Sequence, residues 1–355
     1  MPRTSWRDDM VTAALCAWVV TGMVLDAWAH QNASRLETFF TPWHGVLYSG
    51  FAALMAWMVA RTLAAAGRRR ERAAVPVGYG LGLVGVTVFL VSGVGDGIWH
   101  TVFGVEREVE AALSPTHIGL FVGALLVFTT PLRAAWFSDR PGAAPSLRAL
   151  LPALLSLTFA TVLVSFLFFY LSAFRDPAPT RPFERWAGQF AGGFPSLSYT
   201  RQHGVASVLV TNLLLIAPVL LLLRRWRPPF GSATLLLTAV AVLTTATQEF
   251  AHGELVAAAA AGGLVADWSI ARRSGGAGGV GAHRLVATVT PLALWSSYFL
   301  VLQLTDGIAW PAELWTGSVV FAGLSGLALS LLMVPPMPGA AMDDPRTEDL
   351  ARRGA

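Results

Sequence analysis

Apolar runs follow one another from end to end of this chain, each about long enough to cross a bilayer, and short breaks separate them. A membrane-spanning helix needs about 20 mostly apolar residues. Ten stretches meet that pattern, at 10–30, 43–63, 75–100, 115–132, 149–173, 200–223, 231–251, 253–271, 285–304 and 314–334. In hydrocarbon a spanning segment must satisfy its own backbone hydrogen bonds, so the pattern predicts an all-α, polytopic integral membrane helix bundle of about ten transmembrane helices. The first run is too long and too polar at its end for a cleaved leader. Residues 1–338 form the bundle, and the polar tail 339–355 is expected to be disordered. A hydrophobic content of 54% against 13% charged residues fits the same class.

The breaks alternate in character. With the N-terminus inside, 19 of the 25 basic residues, all of them Arg, fall on inner segments. That bias predicts a bacterial inner (plasma) membrane protein with both termini cytoplasmic. The net charge of +4 then reflects membrane asymmetry and gives no reason to expect nucleic-acid binding. The single cysteine, Cys16, excludes an internal disulfide and any multi-thiolate metal site.

This topology divides the chain into five hairpins whose outer turns resemble one another. Outgoing spans end Asp26-Ala-Trp-Ala-His30, Asp96-Gly-Ile-Trp-His100, Gln248-Glu249-Phe-Ala-His252 and Asp306-Gly-Ile-Ala-Trp310. If each helix continues, positions i and i+4 share a face. Returning spans open Thr41-Pro42-Trp43-His44 and Ser114-Pro115-Thr116-His117, read as N-cap, Pro at N1 and His at N3. Tyr199-Thr-Arg-Gln-His203-Gly204 is a looser version. A glycine follows His44, His203 and His252, which would allow close backbone approach. Among the linking segments, 101–113 reads as an interfacial helix carrying Glu106, Glu108 and Glu110, 174–199 as a cap over a cavity, and 274–281 as a flexible linker.

Six of the seven histidines thus lie at one side of the membrane. A single imidazole at such a boundary is ordinarily a hydrogen-bonding group at the headgroup level. Six of them with intramembrane acids, which are expensive unless partnered, point to a site. Mixed His/carboxylate donors suit copper or iron, and zinc also fits. The expected metal ligands are Asp26, His30, His44, Asp96, His100 and His117, followed by His203 and His252, with Glu249 as the catalytic proton carrier. The tryptophans at this level are explained by an interfacial aromatic belt. Asp267 and Glu254 read equally as part of an ion path or as local caps.

Asp26-x3-His30 with His44, and Asp96-x3-His100 with His117, resemble the metal-binding membrane subunit of the copper membrane monooxygenases, the methane and ammonia oxidisers. That resemblance implies these residues as ligands of an intramembrane metal. The gaps before the last His, the duplicated hairpin and the number of spans depart from that family's pattern. Trp99-His-x-x-Phe-Gly104 and Ser114-Pro-Thr-His117 also resemble uncharacterised actinobacterial membrane proteins, which implies no activity.

The expected function is a membrane metalloenzyme, a copper- or iron-dependent oxidoreductase or monooxygenase acting on a small apolar or lipid-like substrate. Its partners would be the lipid bilayer and further membrane subunits or an electron donor. The alternatives are a haem-binding electron-transfer protein, a metal-ion transporter and a zinc-dependent membrane hydrolase. A phosphate-cradling loop, a nucleophile elbow and an HExxH helix are all missing from the sequence.

Overall fold

The computed structural model describes residues 2–32, 40–69, 75–104, 112–181, 195–273 and 280–334. The expected interfacial helix at 101–113, whose first three residues belong to the preceding helix, the core of the 174–199 cap, the 274–281 linker and the 339–355 tail lie wholly or mostly outside these residues. The helices are α1 (Trp6–Asn32), α2 (Pro42–Arg69), α3 (Gly80–Phe103), α4 (Pro115–Phe128), α5 (Thr130–Ser138), α6 (Leu147–Leu167), α7 (Pro195–Arg225), α8 (Ser232–Ala246), α9 (Leu255–Arg273), α10 (Val280–Thr305) and α11 (Ala312–Met333). Among the described residues nine helical stretches are long and apolar enough to cross a membrane, α4 and α5 together forming one of them. The protein is an all-α, multi-pass membrane bundle.

Helices α1 and α2 pair, as do α3 and α4, while α8 to α11 pack in sequence and α7 closes against α11. Helix α6 touches α1, α5 and α8 and is the most buried of the spans, so it joins the two groups. The Arg-rich end is tied by Arg61–Asp8 at 2.9 Å, by Trp6 Nε1 donating to the Arg148 carbonyl at 2.8 Å, and by Trp226 Nε1 donating to Asp139 at 2.8 Å.

Three of the expected spans differ from the structure for identifiable reasons. The fourth breaks after Phe128, because Pro131 has no N–H to continue the ladder and its ring crowds the preceding turn. Arg133 reaches back to fill the gap, donating to the Leu126 carbonyl at 2.7 Å and the Gly78 carbonyl at 3.2 Å. The third starts at Gly80 and not at residue 75, since Gly78 turns with φ +84°. Gly82 and Gly85 let neighbouring helices approach: a Cβ on Gly85 would lie 2.7 Å from the Gly123 carbonyl oxygen of α4.

The seventh span, expected over 231–251, is only the 15-residue α8, and turns carry the chain through Glu249 and Phe250 at φ 55° and 58°. Its first turn is capped from another helix. Buried Asp267 of α9 accepts from Ala233 N and Thr234 N, both at 3.0 Å, and from Thr234 Oγ1 at 2.6 Å. A carboxylate at a helix N-terminus meets orphan donors and the positive end of the dipole. Asp267 is therefore a cap. Asp267→Ala takes the acceptor from the buried Ala233 N–H and the part-buried Thr234 N–H, and an unsatisfied buried donor costs about 1–3 kcal/mol. We expect a clear drop in the thermal unfolding midpoint in detergent, against little change for Gly317→Ala, whose added methyl meets nothing within 4 Å.

Candidate metal centre

Two turns of helix bring the first group together. Asp26 and His30 stand one turn apart near the end of α1, and Asp96 and His100 do the same near the end of α3. Thr41 and Ser114 then cap the returning helices, their hydroxyls accepting from His44 N at 3.2 Å and His117 N at 3.4 Å, with Pro42 and Pro115 in the first helical position. Each cap holds its histidine at the start of a helix, beside the carboxylate of the preceding one. His44 Nε2 lies 3.2 Å from Asp26 Oδ1, and His117 Nε2 lies 3.4 Å from Asp96 Oδ1. Within each outgoing helix, His30 Nε2 is 3.7 Å from Asp26 Oδ2 and His100 Nε2 is 3.5 Å from Asp96 Oδ1. The two hairpins thus build the same Asp/His/His arrangement twice.

The two copies meet. His44 and His100 have ring centroids 5.9 Å apart, His30 and His100 6.5 Å, His30 and His44 6.2 Å, and His100 and His117 5.7 Å. Ligating atoms of Asp26, His30 and His44 fall within 4.8 Å of one another, as do those of His44, Asp96 and His100, so His44 belongs to both sets. The Asp96 and His100 side chains are each 1% exposed. Among the described residues the ion pairs of Asp26 and Asp96 are all with histidines.

Outer hydrogen bonds orient this set. Tyr48 Oη donates to Asp96 Oδ2 and Thr116 Oγ1 to Asp96 Oδ1, both at 3.1 Å. Ser114 Oγ bonds His117 Nδ1 at 2.7 Å, and the Gly104 carbonyl lies 3.3 Å from His100 Nδ1. Such contacts to the far nitrogen aim the other one inward, a recurrent feature of metal-ligating imidazoles. Among the described residues His30 Nδ1 is buried without a hydrogen-bond partner, a cost normally met by a ligand, an ion or water.

The remaining expected residues lie elsewhere. His252 Nδ1 is 3.5 Å from Glu254 and groups with Asp306, away from the four-histidine cluster and partly exposed. His203 sits on α7, where Gly204 lets that helix approach Trp310. Glu249 accepts from Trp28 Nε1 at 2.9 Å, and Trp28, two residues before His30, packs edge-on against Trp43, so this acid stands at the rim. The duplicated motif holds for two hairpins. In the fourth, Gln248 and His252 share no helical face because the chain turns at Glu249, and α10 stops at Thr305 before the Asp306–Trp310 stretch. Gly45 opens onto free space and not onto a close backbone neighbour. Tyr48 and Thr116 were not expected as site residues; Tyr48 is one helical turn beyond His44, and that spacing was the available signal.

No family model, curated protein or solved structure matches this chain. Ser114→Ala should lower stability by about 1 kcal/mol, the usual value of a lost N-cap. Chemical unfolding in detergent would read this, and an unchanged midpoint would show that the cap does not hold the His117 turn.

Proposed function

We propose that this protein is a membrane-embedded metalloenzyme, an oxidoreductase using copper or iron on an apolar or lipid-like substrate. One observation carries the reading: two Asp/His/His triads, built alike by successive hairpins, converge in a buried cluster. The donors fit a metal. Two imidazoles with one carboxylate are the set that leaves open positions on non-haem iron, and copper accepts the same donors. Asp26, His30 and His44 would hold one ion, with Asp96, His100 and His117 beside it. A bound redox metal would supply one-electron chemistry and oxygen activation, and zinc would supply an activated water.

The chain's own residues do the rest. Tyr48 and Thr116 fix the Asp96 oxygens, and Ser114 fixes the His117 ring. Burial among apolar helices excludes bulk water and strengthens each charge interaction. Glu249 Oε1, held by Trp28 Nε1 at the rim, is the group placed to exchange protons with solvent. The Arg distribution supports placing the cluster on the extracytoplasmic side, with both termini cytoplasmic. A haem between paired imidazoles fits less well, because each Nε2 of the four histidines already faces an aspartate oxygen at 3.2–3.7 Å.

Purified protein reconstituted separately with copper, iron and zinc, then dialysed against a weak chelator, should retain stoichiometric metal by elemental analysis. Asp96→Asn and His100→Ala should lose it, whereas His252→Ala should keep it, because His252 belongs to another group. Retention by both site variants at the wild-type level would overturn the assignment. Tyr48→Phe keeps the ring but removes the bond to Asp96. We expect metal affinity to fall about 10–100-fold, the usual effect of losing an outer hydrogen bond to a ligand, read by competition with a chelating dye.

A further inference from the structure

Beside the cluster, α2 and α3 stand apart and leave a groove of about 770 Å³, a size typical of small-molecule sites. Its walls come from Thr41, His44, Gly45, Tyr48 and Phe51 on one side and from Phe89 to Val102 on the other. From Thr41 to Phe51 is ten residues, about 15 Å of helix rise. The stacked rings of Phe51 and Phe89, with centroids 4.1 Å apart, line the deep end. Polar groups gather toward the other end, where Thr41, His44 and Thr101 stand near the helix termini that carry the metal-site residues.

The edge of the groove on α3 is lined by Leu90, Val94, Ile98 and Val102, each between 46% and 65% exposed and spaced one turn apart. In a spanning helix such a stripe faces hydrocarbon, so the groove opens sideways into the bilayer. What surrounds that opening is lipid acyl chain. A gradient from polar at the interface to apolar at depth is also the gradient of a lipid.

We infer that this groove takes one alkyl chain of a membrane lipid, entering laterally between α2 and α3 and lying against His44 and Tyr48. As a substrate assignment this rests on the metal reading; as a binding site it does not. His44 is the link, since it lines the groove and its ligating atom converges both with those of Asp26 and His30 and with those of Asp96 and His100. Gly45 sets the width: a Cβ there meets nothing within 4 Å, so a large side chain can enter the groove without displacing backbone.

The test is photolabelling in vesicles of phosphatidylcholine whose acyl chain carries a diazirine, with the labelled positions mapped by peptide mass spectrometry. Groove residues should label several-fold above the exposed lipid face of α11 at Val320, Phe321 and Leu324. Gly45→Phe should reduce groove labelling to the α11 level while circular dichroism and metal retention stay as in the wild type. Groove labelling equal to that of α11, or insensitive to Gly45→Phe, would overturn the inference. Strong groove labelling in a protein that retains no metal would keep the groove and remove the metal reading. The absence of excess labelling in a metal-retaining protein would do the reverse.

Discussion

Asp26 and Asp96 are carboxylates set within apolar helices of membrane-crossing length, their side chains 16% and 1% exposed, and the arrangement of the first four helices follows from partnering them. An isolated buried carboxylate costs several kcal/mol, whereas one surrounded by aligned donors is tolerated. Each acid is met by the histidine one turn later on its own helix and by the histidine in the first turn of the next. That requirement sets how the hairpins close: Pro-initiated, hydroxyl-capped helices must begin level with the acids, and the two hairpins must bring their imidazoles face to face. The Gly85–Gly123 approach between α3 and α4 allows that pair to lie close enough.

The second half of the bundle solves polar burial differently. Asn212 accepts from Trp295 Nε1 and donates to the Ala322 carbonyl and to Ser325, all at 3.0 Å, and Tyr298 donates to the Ala173 carbonyl at 2.9 Å. These groups satisfy one another within the core, and the His252, Glu254 and Asp306 set of this half lies apart from them and partly exposed. Asp267 is likewise consumed as a helix cap. The contrast gives the first four helices their meaning: there histidines and acids gather around shared atoms, and among the described residues His30 Nδ1 has no hydrogen-bond partner.

Much of this was legible because helical spacing is rigid. Asp-x3-His guarantees a shared face, and Ser/Thr-Pro-x-His guarantees an imidazole in a first turn, so six residues converged as their spacing implied. The same rule failed at Gln248–His252, because it presumes a continuing helix and the chain turns at Glu249 with positive φ. Local sequence also could not show that Asp267 would cap a neighbouring helix, or that α2 and α3 would part to leave a groove; both depend on how distant segments pack. Gly45 illustrates the limit. Its small size suggested close approach, and it borders open space.

X-ray absorption at the metal edge, on protein loaded with copper or iron and dialysed to remove loosely held ions, tests the central claim most directly. The account predicts a first shell of light N/O donors with the multiple-scattering signature of imidazole, diminished in His100→Ala. A shell without imidazole scattering, or a spectrum identical in that variant, would show that the paired triads bind no metal and that these histidines serve only to satisfy buried acids.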